Sequence, residues 1–246
     1  MSGTVPFPSA TVADAPTPAA AGPSQETIVA FANLVATLAA AASVLQLGPT
    51  DASSVAAEPV IPSVVRRAPQ GAPIATVSPH GPWAGQRVRL LVLGGALDST
   101  GRRWLRVRLL QRPNESDGWI PYDRVRVSRN PWRVEIWRAG KELRVLRRGA
   151  IVARYPVVVG GPATPTPKGL FAIAESFRTT QPGVAPWAIA LTAFSETLDS
   201  FAGGPGLVAI HGGSGAIWTH GCIAVPPDAI ERLAGQLPSG TPVVIR

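Results

Sequence analysis

The sequence predicts a mainly β protein with a small N-terminal β-barrel, a β-rich C-terminal domain and few short helices. From about residue 66 onward, short runs of alternating apolar and polar residues recur between clusters of Gly, Pro, Asn, Asp and Ser. In the C-terminal half, one segment after residue 225 has the apolar spacing and the end residues of a helix. A length of 246 residues allows two domains and an additional segment. We expect that segment at 1–65, the barrel at 66–128 and the C-terminal domain at 129–246.

The N-terminal segment has three parts. The first 23 residues are rich in Pro, Ala, Ser and Thr, so they are predicted to be disordered. Residues 28–47 form an uncharged stretch long enough to cross a membrane at about 1.5 Å per residue, which indicates a possible anchor or export segment. The stretch is mostly Ala, lacks a basic flank and would also form one face of a soluble helix, so both interpretations stay open. Residues 48–65 contain three prolines and are expected to be a linker.

The charge distribution suggests an anionic partner. No Lys or Arg precedes Arg66, and residues 66–246 carry 23 basic and 11 acidic side chains, a net charge of +12. Such a balance favours nucleic acid, an anionic lipid surface or an anionic wall polymer. The arginines are scattered through strand-like runs, without interleaved exposed aromatics or a recognition helix, so we expect no nucleic-acid partner. An anionic wall polymer and an anionic lipid surface remain candidates, and solubility is the alternative explanation of the positive charge.

The predicted barrel has its clearest pattern in residues 104–121. The run Trp104–Leu110, a polar turn and the run Gly118–Pro121 follow one another. This pattern resembles the bacterial SH3-like domains that often precede wall-modifying catalytic domains. The resemblance covers about 60 residues.

Strands are predicted to continue through the C-terminal domain. They are expected at residues 132–137, 143–146, 151–159 and 170–177. The loop before the last of these contains three prolines, which cannot occupy a central strand. A helix is predicted after Pro226, because prolines suit its first turn and Asp228 and Glu231 suit its positive end.

Cys222 is the only cysteine, and two of the three histidines, His211 and His220, lie within twelve residues of it, while His80 lies in the barrel. A single cysteine excludes an internal disulfide and a paired-cysteine metal site, so we expect neither metal nor cofactor. The segment from Val208 to Val225 reads as a strand, a glycine-rich loop and a second strand. A free thiol is only a few per cent ionised at neutral pH, so a nearby imidazole would be needed to activate it.

Two separated motifs carry a family resemblance. Ile210–Gly212 is an apolar residue followed by His-Gly, and Thr219–Ile223 is Thr-His-Gly-Cys followed by an apolar residue. Together with the proline-rich stretch Val159–Phe171, they resemble the L,D-transpeptidase family with the YkuD-type catalytic domain. The resemblance spans about residues 131–246 and implies that fold.

The resemblance also implies roles for individual residues. Cys222 would be the nucleophile, and His211 would be the base, with its ring oriented by the carbonyl of Gly212. The amides of Gly221 and Cys222 would stabilise the oxyanion, where one donor can be worth roughly 3 kcal/mol. His220 would support the site, although its position two residues before the cysteine leaves a direct contact with the thiol open.

Family members act on peptidoglycan stem peptides in the cell envelope, outside the cytoplasm. They cleave the bond between the third stem residue and the terminal D-Ala, and they pass the acyl group to an amine or to water. Thr219 and Trp218 are the expected substrate-binding residues. L,D-transpeptidation is the expected activity, with trimming by water as the alternative.

Two departures from the family pattern leave a third hypothesis open. Ala224 stands where the family usually has Arg or Asn, and only seven residues separate His211 from Thr219. The protein could therefore be a wall-binding protein with an impaired site. A papain-like wall peptidase is disfavoured, because in that class the cysteine precedes the histidine and begins a helix.

Overall fold

The structure is a computed structural model that describes residues 47–184, 186–201, 203–213 and 216–246. The predicted disordered N-terminus and, apart from Leu47, the predicted anchor at 28–47 lie outside the described residues. Within those residues, no helix is both long and apolar enough to cross a membrane.

The N-terminal part of the described chain is a seven-stranded sheet. Its order is β3-β2-β6-β5-β4-β1-β7, and a 3₁₀ turn at Tyr122–Arg124 precedes the last strand in sequence. The strands are β1 (Ser54–Pro59), β2 (Ser63–Arg66), β3 (Pro73–Val77), β4 (Leu90–Leu97), β5 (Arg103–Arg108), β6 (Asp117–Pro121) and β7 (Val125–Asn130). The prediction of a mainly β protein is confirmed. The more specific resemblance to an SH3-like barrel stays a prediction.

The prediction of a linker at 48–65 is wrong for half of that segment, because it contains β1 and the greater part of β2. β1 pairs along its whole length with β7 and also pairs with β4, and its residues Ala56 and Ala57 are buried. The prolines that suggested a linker are compatible with these strands. Pro59 ends β1, and Pro62 lies between β1 and β2.

The C-terminal part is an eight-stranded sheet with one α-helix. The order is β10-β9-β8-β15-β11-β12-β13-β14. The strands are β8 (Trp132–Trp137), β9 (Glu142–Arg147), β10 (Ala150–Pro156), β11 (Gly169–Arg178), β12 (Trp187–Phe194), β13 (Leu207–Gly212), β14 (Ile223–Val225) and β15 (Pro242–Ile245). An antiparallel bridge between Val158 and Ala224 joins the continuation of β10 to β14, so the sheet nearly closes on itself.

The predicted helix is confirmed as α1 (Pro227–Gln236). Proline occupies its first turn, where an amide donor would have no helical partner, and Asp228 lies at its positive end. Ile230 and Leu233 are fully buried in the core shared by the strands of the second sheet. The helix follows β14 directly and so fixes the strand that comes after Cys222.

A buried carboxylate connects the two sheets. Glu175 on β11 is 3% exposed and accepts hydrogen bonds from the backbone N–H groups of Trp83, Ala84 and Gln86, at 3.0, 2.9 and 3.2 Å. A Cβ atom at Gly81 would overlap the carboxylate of Glu175, so a larger residue there would force this carboxylate to move. The turn at residues 81–86, between β3 and β4, is therefore held by hydrogen bonds to a side chain of the second sheet.

Replacing Glu175 by Ala should lower the free energy of unfolding by about 2–4 kcal/mol, because three amides would lose a charged acceptor in a buried place. Asp123→Ala is the matched control, since Asp123 forms an exposed ion pair with Arg102 and should contribute less than about 1 kcal/mol. Urea unfolding of both variants measures the difference. Equal losses would show that the Glu175 contact does not hold the sheets together.

Candidate active site

The register of two parallel strands places the site. In the β13–β14 pair, Ile210 lies opposite Ile223 and His211 lies opposite Ala224. Both isoleucines are fully buried in the core. Because side chains alternate along a strand, His211 and Ala224 face away from that core, and with Cys222 they line one cleft.

The cleft has a volume of about 360 Å³, within the range of small-molecule and peptide sites. Cys222, His211 and the buried Ala224 line its inner part. Its outer part includes the exposed aromatic rings of Trp218 and Phe201. The structure thus brings the predicted thiol, imidazole and substrate-binding tryptophan together.

A tight turn presents Cys222 at the start of β14. The Thr219 hydroxyl donates a hydrogen bond to the carbonyl oxygen of Cys222 at 2.5 Å, and the N–H of Gly221 lies 3.3 Å from the Thr219 oxygen. Gly221 has a φ of +107°, which only glycine adopts without strain. Thr219, predicted to bind substrate, therefore has a structural contact to the cysteine turn, in addition to lining the cleft.

The proline-rich loop packs against this turn. Thr219 exchanges backbone hydrogen bonds with Val159 and Gly161, at 3.0 and 3.2 Å. The Gly160 N–H donates to the Thr166 hydroxyl at 2.9 Å. A Cβ atom at Gly160 would lie 2.1 Å from the carbonyl oxygen of Thr164 and 2.9 Å from Cα of Gly221. Only glycine therefore allows the loop to approach the cysteine turn so closely.

The two histidines of the cleft have different surroundings. Nδ1 of His211 lies 2.9 Å from the carbonyl oxygen of Gly212, the contact that the family resemblance implied. Since a carbonyl only accepts, Nδ1 carries a proton, and in the neutral form of the ring Nε2 then has the free lone pair. His220 is exposed and stacks on the ring of Phe201, with centroids 4.9 Å apart and planes inclined by 27°. His80 lies in the connection between β3 and β4, where it forms an isolated bridge with Arg87, and it does not line this cleft.

Sequence reasoning missed three contributors. Phe201 lies in a loop without any pattern that would mark it, and its role is visible only in the contact with His220. Gly160 and Thr166 belong to the proline-rich stretch, but their contacts depend on how that stretch folds back on residues 219–222. Trp218 was singled out, and it packs against Gly161 with the Lys141 ammonium 5.0 Å from its ring centroid.

The thiol is buried enough to resist ionisation. Burial raises the pKa of the Cys222 thiol above its ordinary value, and a backbone hydrogen bond with Ala209 offsets part of that effect. Cys222 as a residue is half-buried, and it lines the cleft. Because burial disfavours the thiolate, a base is needed to take the thiol proton when a substrate is attacked. Among the described residues, no group of three side chains could hold a metal ion.

A mainly β domain with a thiol and an imidazole in one cleft has the components of a cysteine-dependent enzyme. The comparison with family models identifies the class. Residues 131–245 match the family model of the L,D-transpeptidase catalytic domain, YkuD. No curated protein gives a significant match.

Solved L,D-transpeptidases are among the structures similar to this chain. The catalytic domain of the Enterococcus faecium enzyme is 24% identical, with 47% of this chain and 96% of that chain covered and a TM-score of 0.35. A mutant of the same enzyme is 16% identical over 75% of this chain and 74% of that one, with a TM-score of 0.39. Mycobacterium tuberculosis L,D-transpeptidase 1 is 21% identical, with 53% of this chain and 77% of that chain covered and a TM-score of 0.36.

The pH dependence of Cys222 alkylation tests the burial of the thiol. Because burial raises its pKa, the iodoacetamide reaction of the free protein should have its midpoint above the value of about 8.5 found for exposed cysteine. Cys222 is the only cysteine, so the alkylated mass reports this thiol alone. The unfolded protein in denaturant is the control, and the midpoint of its alkylation profile should lie at about 8.5. A midpoint well below that value would indicate that the thiol and an imidazole already form a thiolate–imidazolium ion pair in the free protein.

Proposed function

We propose that the protein is a peptidoglycan L,D-transpeptidase. Cys222 attacks the carbonyl of the third residue of a stem tetrapeptide, at the bond before the terminal D-Ala. The resulting thioester is passed to an amine of another stem. The observation that carries this proposal is that Cys222 and His211 line one cleft, with His211 held through Nδ1 so that Nε2 is free to accept a proton.

The acylation half of the reaction uses these groups in order. Nε2 of His211 takes the proton of the Cys222 thiol as the sulfur forms a bond to the carbonyl carbon. The carbonyl oxygen becomes an oxyanion, for which the amides of Gly221 and Cys222 are the proposed donors. The contact from the Gly221 N–H to Thr219 is long, at 3.3 Å, so this donor is weakly engaged in the free protein. When the C–N bond breaks, the imidazolium gives its proton to the amine of the departing D-Ala.

The second half reverses these roles. An acceptor amine enters the cleft, loses a proton to His211 and attacks the thioester carbon. An amide bond forms, the C–S bond breaks, and the proton returns to the sulfur. If water enters instead, the product is a tripeptide acid, so the acceptor alone separates crosslinking from trimming.

The substrate implies a location. Because stem peptides lie outside the cytoplasm, we propose that the protein acts in the cell envelope, with residues 28–47 as a candidate anchor. The N-terminal sheet could add affinity for anionic wall polymers, since residues 66–128 carry eleven basic and four acidic side chains. These two proposals are independent of the chemistry at Cys222.

Purified protein incubated with tetrapeptide muropeptides should release D-Ala and form crosslinked dimers, measured by mass spectrometry. Cys222→Ala should retain less than about one per cent of this activity, because it removes the nucleophile at the end of a strand where little packing is lost. The melting temperature of the variant is the control for folding. Activity of Cys222→Ala above that level would show that another group is the nucleophile, and tripeptide without dimer would identify water as the acceptor.

A further inference from the structure

The loop between β12 and β13, residues 195–206, contributes Phe201 to the lining of the cleft. The Ser195 N–H donates to the carbonyl oxygen of Gly206 at 2.8 Å, which closes the loop at its base. Near its tip, Phe201 and Gly204 exchange two backbone hydrogen bonds, at 3.0 and 2.9 Å. This tip carries the Phe201 ring that stacks on His220. The position of the loop therefore determines where the Phe201 ring lies in the cleft.

One side chain of the first sheet binds this loop at three points. Arg112 lies between β5 and β6, and its guanidinium donates to the carbonyl oxygens of Ser195, Leu198 and Pro205, at 2.8, 2.8 and 3.2 Å. The same group lies 5.0 Å from the ring centroid of Phe194, the last residue of β12. A guanidinium can reach several carbonyls at once because its five N–H groups point in fixed directions.

The segment that carries Arg112 is itself fixed to the second sheet. The side-chain amide of Asn114 donates to the Phe194 carbonyl at 2.8 Å and accepts from the Phe194 N–H at 2.7 Å, as a paired strand would. Glu115 accepts a hydrogen bond from the N–H of Leu170 at 2.9 Å. Arg112 is therefore held beside the loop and does not depend on the loop for its position.

We propose that Arg112 is a positioning residue of the candidate active site, which it shapes by holding the 195–206 loop so that Phe201 stays against His220. The inference rests on the proposed function for its effect on turnover. Arg112 is exposed, and the carbonyls that it binds could turn to water if it were removed, so its loss should disturb the loop more than the fold. The β13–β14 register, which holds Cys222 and His211, does not depend on it.

The kinetic test separates a positioning role from general destabilisation. Arg112→Ala should raise the KM for the donor muropeptide roughly five- to tenfold, within the range for residues that act on a site through others. The pH profile of Cys222 alkylation and the melting temperature should stay close to the wild-type values. Arg112→Lys should recover only part of the effect, because a single ammonium cannot bind three carbonyls in one plane. Arg126→Ala, at an exposed arginine on β7, is the matched control and should leave KM unchanged.

Histidine ring signals in NMR give a readout that needs no activity. The chain has three histidines, so each ring can be assigned by substitution. Arg112→Ala should shift the ring signals of His220, which stacks on Phe201, and leave those of His80 in place. Phe201→Leu should shift His220 as well. If Arg112 acts through Phe201, the variant that combines Arg112→Ala with Phe201→Leu should have a KM no higher than that of the single variant with the higher KM.

Each outcome bears on the proposal. An unchanged His220 signal in Arg112→Ala, or KM effects that multiply in the double variant, would overturn it. A change in the alkylation profile together with a fall in melting temperature would show that Arg112 has a general structural role instead. If the wild-type protein releases no D-Ala at all, the proposed function fails, whereas the His220 signals still test the contact chain from Arg112.

Discussion

The parallel pairing of β13 with β14 is the constraint on which the candidate site depends. Ile210 and Ile223 are buried opposite each other, and His211 and Ala224 lie opposite each other on the other face. A shift by one residue would turn an isoleucine toward the cleft and His211 toward the core, so the hydrophobic pattern fixes the register. The bridge from Val158 holds β14 from its other side, and α1 follows it immediately. The positions of the thiol and the imidazole are thus set by burial in the core behind them.

Close backbone packing completes the site. The turn at Thr219–Cys222 is stabilised by its own threonine hydroxyl, and the proline-rich loop reaches it because Gly160 has no side chain. The same packing that orders the thiol also removes it from water and raises its pKa. In our proposal His211 therefore takes the proton of Cys222 during the attack on the substrate, and the free protein does not hold Cys222 as a thiolate. Ala224 fits this arrangement, since a small residue opposite His211 leaves the inner cleft open.

Much of the second sheet could be predicted from sequence because its signals are local. Strands β8, β9 and β11 and helix α1 follow from alternation, glycine and proline positions and end residues. The strands at 54–59 and 63–66 were missed because the prolines in and around them suggested a linker, and because the partners of β1, which are β4 and β7, lie far along the chain. Phe201 and Arg112 were missed for a related reason. Their contacts join residues that are far apart in the chain, and no short sequence pattern predicts such contacts.

The most direct test of the account compares the two histidines of the cleft in the D-Ala release assay, with His80→Ala as the control. If the strand register makes His211 the base, His211→Ala should lower kcat/KM at least about 100-fold, as expected for loss of a general base. His220→Ala should lower it less than about tenfold, because its contact is with Phe201 at the outer part of the cleft. A larger loss for His220→Ala than for His211→Ala would contradict the assignment of the base and the role given to the β13–β14 register.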